Sequence, residues 1–448
     1  MEPPPATPSV QPLHHLRPTG LPARTWWALV VVGLVGQVAW TIENIYLNLF
    51  VYDTITDEPG VLAAMVAASA LAATTAAFVV GALSDRWGRR RVFIAGGYVL
   101  WGVSTMAFGL ASVDTLARFV PLAEAVSAAA ATVILIDAVM SFLGAGANDA
   151  SFNAWVTDVT DVDNRGRVEG VLAVLPLVSM LLVFGLLDAM TQAGDWSAFF
   201  VLVGTLMVLA GGAAWFLVRD VGDGRQQREG LWTAMVDGLR PTVVRGNPRL
   251  YLTLAALGVV GVSSQVFLPF LLIYVQYSLQ IEAYALVIAV VLTGASLVGV
   301  LGGRLIDRVG KVRFMVPATL VYLAGLLLMA VARSLLPLIG AGLVMMSGFM
   351  LMMATVAAAV RDYTPVDRVG AVQGLRMVFY VLVPMVVGPF IGAAVIRGAD
   401  EYYEELGQLK QVPTSAIFVA SAVVALLAFL PVAALRRCET AAARRDGT

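Results

Sequence analysis

The sequence predicts an all-α membrane protein: twelve transmembrane helices arranged as two pseudo-symmetric six-helix bundles. Three observations carry that expectation. First, 59% of the 448 residues are hydrophobic and only 13% are charged, and several apolar runs exceed the ~18 residues that mark a spanning helix. Second, a charged segment occurs twice, 222 positions apart. Gly-Ala-Leu-Ser-Asp-Arg-Trp-Gly-Arg-Arg-Arg-Val-Phe at Gly81–Phe93 returns at Gly303–Met315 as Gly-Arg-Leu-Ile-Asp-Arg-Val-Gly-Lys-Val-Arg-Phe-Met, with six of thirteen positions identical. Third, Asp158–Gly170 returns at Asp362–Gly374, with seven of thirteen identical. Charged motifs repeated at matching points of two apolar halves mark an internal duplication.

Apolar runs between polar punctuation place the spans in order. Trp26–Tyr52 follows a proline-rich leader. Val61–Leu83 runs into the first charged motif and Val92–Ala111 leaves it. Ile134–Val156 runs into the second motif and Val168–Met190 leaves it, and Ser197–Val218 closes the first half. The polar stretch Arg219–Arg249 is the one long central break. Leu250–Val275 opens the second half, and its Pro269 predicts a kink. Ala283–Gly303 and Val312–Arg333 flank the copy of the first motif. Leu335–Val360 and Ala371–Ile396 flank the copy of the second, and Pro384, Gly388 and Pro389 make span 11 breakable. Pro413–Leu435 is the last span. The domain plan is therefore a disordered cytoplasmic tail (1–24), a first bundle (25–218), a central cytoplasmic loop (219–249), a second bundle (250–436) and a cytoplasmic tail (437–448). The motif pairs are offset by 222 and 204 residues. The first half thus carries 18 extra residues, which fall around Val113–Thr132, and a helical elaboration on the outer side is expected there.

Charge fixes the expected orientation and excludes other classes. With both termini cytoplasmic, all but Arg118, Arg333, Arg397 and Lys410 of the 29 basic residues fall in tails, inner loops or their helix ends, as the positive-inside rule requires. The outer loops carry Asp53, Asp57, Glu58, Glu401, Glu404 and Glu405. A net charge of −1 recruits neither nucleic acid nor anionic lipid. The single Cys438 forms no internal disulfide and no metal site, although palmitoylation there is chemically open. The leader lacks the apolar core of a cleavable signal. His14 and His15 are the only histidines and both lie in the tail, so no catalytic set is visible, and no phosphate-cradling glycine loop ending in Gly-Lys-Ser/Thr occurs. The expectation is a non-enzyme with no cofactor or resident metal, seated in the cytoplasmic (inner) membrane as a monomer.

The repeated first motif sits at the inner ends of spans 2 and 8. Gly81, Gly88, Gly303 and Gly310 permit close packing and tight turns. Asp85 and Asp307 suit a neighbouring helix N-terminus or arginines of the other half. The order Gly-x-Leu-x-Asp-Arg-x-Gly-Arg-Arg resembles the loop 2–3 signature of the major facilitator superfamily, and the Gly303 copy resembles its loop 8–9 counterpart. The resemblance covers nearly the whole chain. It implies two six-helix bundles about a central cavity, alternating access by rocking, and an inner gate at the signature aspartates. The candidate cytoplasmic gate is therefore Gly81, Asp85, Arg86, Gly88, Arg89 and Arg91, with Gly303, Asp307, Arg308, Gly310, Lys311 and Arg313. Asp158, Arg165, Gly166, Asp362 and Gly370 join it from the second motif. The Arg-Trp-Gly-Arg-Arg-Arg stretch is also similar to that of sucrose-type and glycoside cation symporters. Two family patterns are missing. Span 4 lacks the arginine motif of proton-coupled drug antiporters, and span 7 has only Gln265 and Gln276 in place of the paired glutamines of classical sugar porters.

An ionisable group in the hydrocarbon core costs about 2.5–3.5 kcal/mol on insertion scales, so each one needs a reason. Glu43 lies within about a turn of the middle of span 1. At ~100° per residue Gln37, Thr41, Asn44 and Asn48 share one stripe, flanked by Glu43 and Trp40. Such a face turns away from lipid. A desolvated carboxyl can serve as a proton carrier; a permanently neutral structural carboxyl and a sodium ligand are the other readings. In span 4, Asp137, Ser141, Gly144, Asn148 and Trp155 share a face, with Asp149 and Asn153 beside it. Alignment with span 10 puts Asp137 near the outer end, away from the chemistry, and Asp149 deeper, as a coupling carboxyl or the partner of an inner-gate arginine. Span 7 offers Gln265 and Gln276. Span 11 offers Arg376, which either snorkels to the inner surface or pairs with Asp149 or an anionic solute, and Tyr380. With Gln37, Trp40, Thr41, Asn44, Tyr46 and Asn48 of span 1 and Ser141 and Asn148 of span 4, these are the candidates for lining the substrate cavity.

The function expected is secondary active transport of a small solute by alternating access, coupled to a proton or sodium ion through Glu43 or Asp149. Amides and aromatics suit a neutral, hydroxyl-rich sugar or glycoside. Proton-coupled efflux of amphipathic drugs or metabolites is the alternative. A transport-inactive membrane sensor, or a membrane-embedded transferase, are the readings from other classes.

Overall fold

The computed structural model describes residues 21–220, 240–281, 283–365, 369–405 and 408–446. Among them are twelve helices long and apolar enough to cross a membrane. They are α1 (Ala23–Thr54), α2 (Pro59–Trp87), α3 (Arg90–Leu110), α4 (Ala123–Val159), α5 (Asn164–Gln192) and α6 (Trp196–Leu217) in the first half. The second half has α7 (Pro248–Ser278), α8 (Tyr284–Gly303), α9 (Lys311–Val331), α10 (Leu335–Tyr363), α11 (Gly374–Ala399) and α12 (Ala416–Ala441). The polypeptide after α8 stays helical to Val309. Most of the expected N-terminal tail and of the central loop lies outside the described residues.

Each expected span is present, and three boundaries move for physical reasons. α4 begins far before Ile134, because the alanine-rich run after Pro121 is made of the best helix former. With the short helix Val113–Leu116, capped by Ser112, it makes the inserted stretch helical. A short helix, Pro241–Gly246, occupies the end of the expected central loop, and Asn247 caps α7 through Leu250 N. The expected C-terminal tail is helical as far as it is described. The helix from Phe429 continues to Asp446 through alanine and arginine, and Tyr363 donates to Glu439 Oε1 at 2.5 Å. An unforeseen hairpin, β1 (Tyr402–Glu405) and β2 (Gln408–Gln411), pairs Tyr403 with Lys410 between α11 and α12.

Within each half, small residues set the spacing. A Cβ on Gly261 of α7 would lie 2.6 Å from Pro384 Cγ of α11, and one on Gly102 of α3 would lie 2.5 Å from the Gly204 carbonyl of α6. Packing at this distance stands in for the hydrophobic drive that lipid does not supply. The halves meet through α2 against α11 and, by pseudo-symmetry, α5 against α8, with the central parts of α1 and α7 facing one another. Two ends of the molecule are thereby defined. The hinge end carries the charged motifs and the start of α1. The hairpin end carries β1 and β2.

The hinge itself turns on glycine. Gly88 takes φ 62° and Gly310 takes φ 92°, a region in which a side chain is strained. Each stops one helix so that the next can start at once.

Five spans are interrupted by π turns: Ile42–Tyr46 in α1, Ala145–Phe152 in α4, Val183–Leu187 in α5, Tyr274–Ser278 in α7 and Val378–Leu382 in α11. A π turn adds a residue and rotates everything beyond it, and such turns concentrate at functional sites. Glu43, Asn148, Asp149, Gln276 and Tyr380 lie inside these turns, and Asp188 follows one directly.

Candidate functional site

The π turn of α1 carries Glu43 into the middle of the first half, against α2 and α4. The side chain is 6% exposed. Its Oε1 accepts from Ser69 Oγ of α2 at 2.9 Å and from Ser141 Oγ of α4 at 2.7 Å, and the two hydroxyls lie 2.8 Å apart. A hydrogen bond to an ionised group contributes about 1.5–3 kcal/mol, enough to offset much of the burial cost. The second oxygen, Oε2, has no partner. Glu43 borders two cavities of about 10 Å³ each. One lies within the first half among Thr105, Phe108, Met140 and Phe200. The other lies between the halves, where Asn44, Asn48, Ser69 and Asp137 meet Gln265, Pro269 and Met385.

Asp137 corrects the sequence expectation. It is 2% exposed and lines the same inter-half cavity as Glu43. Alignment with span 10 misplaced it because α4 starts well before the expected Ile134, so Asp137 lies near the middle of the span instead of at its outer end.

The predicted α1 stripe is split by its own π turn. Asn44 and Asn48 face the cavity, and their amides donate to the carbonyls of Trp40 and Asn44 at 2.8 and 3.1 Å. Thr41 instead joins α1 to α5, 3.0 Å from Ser179 Oγ, and Gln37 is half-buried one turn earlier. Tyr46 is buried between Phe184 and Phe199, so its ring is core and not a stacking surface for a solute. Trp40 packs on Trp101 at 5.3 Å. Asn148 accepts from Tyr98 OH at 2.9 Å and donates to Asp149 at 3.1 Å, which ties it to α3 packing. Asp149 is half-buried, and Arg376 forms no ion pair with it; Arg376 stacks over Tyr380 at 6.0 Å. Gln265 borders the inter-half cavity, while Gln276 sits at the hairpin end of α7 with an unpartnered Oε1.

At the hinge end, Asp85 does not reach the other half among the described residues. It pairs with Arg90, whose Nε also binds Asp158 Oδ2 at 3.2 Å and whose Nη1 donates to Ser84 Oγ at 2.6 Å. Arg90 thus joins the two repeated motifs of the first half, a role the sequence reading gave to its neighbours. Arg86, Arg89 and Arg165 are exposed, and Arg165 reaches Thr160 of its own half. Arg91 lies 4.0 Å over the Trp215 ring, while its backbone N–H donates to Asp220. The second half repeats the join: Lys311 Nζ binds Asp362 Oδ2 at 2.5 Å. Arg308 and Arg313 are exposed. Gly166 and Gly303 face open space, so neither is a close-packing contact. The side chain of Asp307 lies outside the described residues. Gly81 is buried inside α2, and Gly370 lies in the helix Val369–Met377. A cavity of about 410 Å³ opens beside Lys311, Asp362, Tyr363 and Glu439, wholly within the second half and away from Glu43.

The contacts between halves gather at the hairpin end. Tyr277 OH donates to Asp53 at 2.6 Å, Arg397 pairs with Glu58, and the Gln411 backbone N–H donates to Asp57. One contact is fully buried. Asp188 of α5 accepts from Tyr46 OH at 2.7 Å, from Tyr284 OH of α8 at 2.8 Å and from Gln192 Nε2 at 2.7 Å. Asp188 is an acid inside the expected span Val168–Met190 that the sequence reading passed over; Gln192 lies one turn along its own helix, and its other two partners, Tyr46 and Tyr284, come from distant parts of the chain.

The Major Facilitator Superfamily profile matches residues 29–301 and 253–447. No curated protein matches the sequence. Among solved structures, a point mutant of the nucleoside transporter NupG superposes with TM-score 0.70 at 12% identity, covering 92% of this chain and 99% of its own. The xylose transporter XylE from E. coli, partially occluded and inward open, gives 0.64 at 14%, covering 91% and 97%. A bacterial homologue of the human lysosomal transporter Spinster, inward-facing and occupied, gives 0.61 at 13%, covering 92% and 96%. At these identities the likeness is one of fold. The profile spans both halves and their repeated motifs, and on that ground the chain belongs to the Major Facilitator Superfamily.

Proposed function

We propose that this transporter moves a neutral, hydroxyl-rich solute of the sugar or glycoside class across the cytoplasmic membrane by alternating access, coupled to protons through Glu43. One observation carries the reading: a carboxyl buried where the halves meet, with one oxygen held by two serines and the other without a partner. Such a group can change protonation and hydrogen bonding as the halves rock. The inter-half cavity of about 10 Å³ has no room for a solute, so binding requires the halves to part. Asn44, Asn48 and Gln265 then supply directional donors and acceptors. That two neighbours are named for a nucleoside and for xylose supports a hydroxyl-rich cargo.

In this reading the hinge end is cytoplasmic, with both termini, and the protein works as a monomer. The conformation is closed on the outside by the hairpin-end contacts. Arg90 and Lys311 brace each half as a rigid body, and Asp149 is a reserve carboxyl on the inner side. The test is solute uptake into proteoliposomes under an imposed proton gradient, across a panel of sugars, nucleosides, glycosides and lipophilic cations. Accumulation of a hydroxylated solute that collapses with an uncoupler is expected. Gradient-driven movement of the lipophilic cations alone would overturn the substrate class.

A further inference from the structure

Three oxygens around the inter-half cavity have nothing to bind. They are Glu43 Oε2, Asn48 Oδ1 and Asp137 Oδ1. All three residues line that one cavity, and all are more than nine-tenths buried, at 6%, 2% and 2% exposure. Nearby donors are already committed. The Ser69 and Ser141 hydroxyls turn to Glu43 Oε1, and the Asn48 amide nitrogen donates to the Asn44 carbonyl at 3.1 Å, which leaves its oxygen as the free end. Buried acceptors without donors are rare in folded proteins and call for a ligand.

We infer that Glu43, Asp137 and Asn48 form a binding site for a small monovalent metal cation of the sodium class. Two carboxylate oxygens and one amide carbonyl are the hard ligands such an ion takes. A cavity of about 10 Å³ admits one atom-sized occupant. A water molecule has two protons for three acceptors and brings no charge. The groups facing Glu43 from the packed elements are acidic or neutral: Asp137 and Asp149 from α4, Ser69 from α2, Thr105 from α3, Gln265 from α7 and Met385 from α11. No side chain among these balances the carboxylates, so a proton or a bound cation does.

Protonating both carboxyls also satisfies the three oxygens, because each new O–H can donate to Asn48 Oδ1. Protons and the metal cation therefore compete, and the cation binds better as pH rises. This inference rests on reading Glu43 as the coupling carboxyl and adds a second ion that can occupy it.

The test is thermal unfolding of the full chain in lipid nanodiscs at matched ionic strength. Sodium, lithium, potassium, calcium and choline chlorides are compared at alkaline and mildly acidic pH. A ligand of the folded state raises its melting temperature. Sodium should raise it over choline, more at alkaline pH, with lithium similar. Asp137→Asn should lose that increment, and Asn48→Ala should lose it independently. A cooperative transition in choline shows that each variant folds. Equal melting in sodium and choline at both pH values would overturn the site, as would stabilisation by calcium alone or an increment intact in both variants. Proton-driven uptake without a sodium response would remove the cation site and leave the transport reading. A sodium response without coupled uptake would do the reverse.

Discussion

Arg90 holds the hinge end of the first half together because one guanidinium reaches Asp85, Asp158 and Ser84 at once. A planar fork can serve several acceptors, where an ammonium is a point charge. Exposed ion pairs contribute only ~0.2–1 kcal/mol, but the Arg90 side chain is 11% exposed and its network is shared. Arg90→Ala should therefore cost about 1–2 kcal/mol of stability, read from chemical unfolding, and Arg90→Lys should restore only part of it. An unchanged midpoint in Arg90→Ala would show that the network is incidental. The sequence made Glu43 visible, since a lone acid in an apolar run stands out whatever the fold. Arg90 was harder to single out within the run Gly88–Arg91, where glycine and arginines stand side by side. Asp137 and Asp188 were hidden for a different reason: depth along α4 and partnership across α8 exist only in three dimensions.

The spans themselves, their order and the two motif repeats were legible because hydrophobic length and charged punctuation are local properties. What periodicity could not supply is the set of π turns. Each resets the 100° register, which is why the α1 stripe separates into a cavity-facing part, Asn44 and Asn48, and a packing part, Thr41 and Tyr46. At this scale the Asp188 cluster is the element that holds α5 to α8. Tyr284→Phe removes its cross-half hydrogen bond and leaves the ring volume. A hydrogen bond to a carboxylate contributes about 1.5–3 kcal/mol, so the hairpin end should open roughly ten- to hundredfold more often. Cysteine labelling at Asp57→Cys, under the β hairpin, should speed up accordingly, while unchanged labelling would show that the cluster does not latch the halves.

For the whole molecule, the two ends behave differently. Cross-half contacts close the hairpin end, and the charged networks at the hinge end run within each half. Rocking about α2–α11 and α5–α8 would break the first set and keep the second, which is the division alternating access needs. The orientation has its own check. Arg89→Cys should be modified by a membrane-impermeant maleimide only in inverted vesicles, and modification in intact cells would reverse the topology. The central claim is that Glu43 carries the coupling. The most direct measurement compares proton-driven accumulation with solute exchange in proteoliposomes containing Glu43→Gln, which keeps size and hydrogen-bonding capacity but cannot release a proton. The account predicts that accumulation is lost while exchange of solute across the membrane persists; full proton-driven accumulation by Glu43→Gln would contradict it.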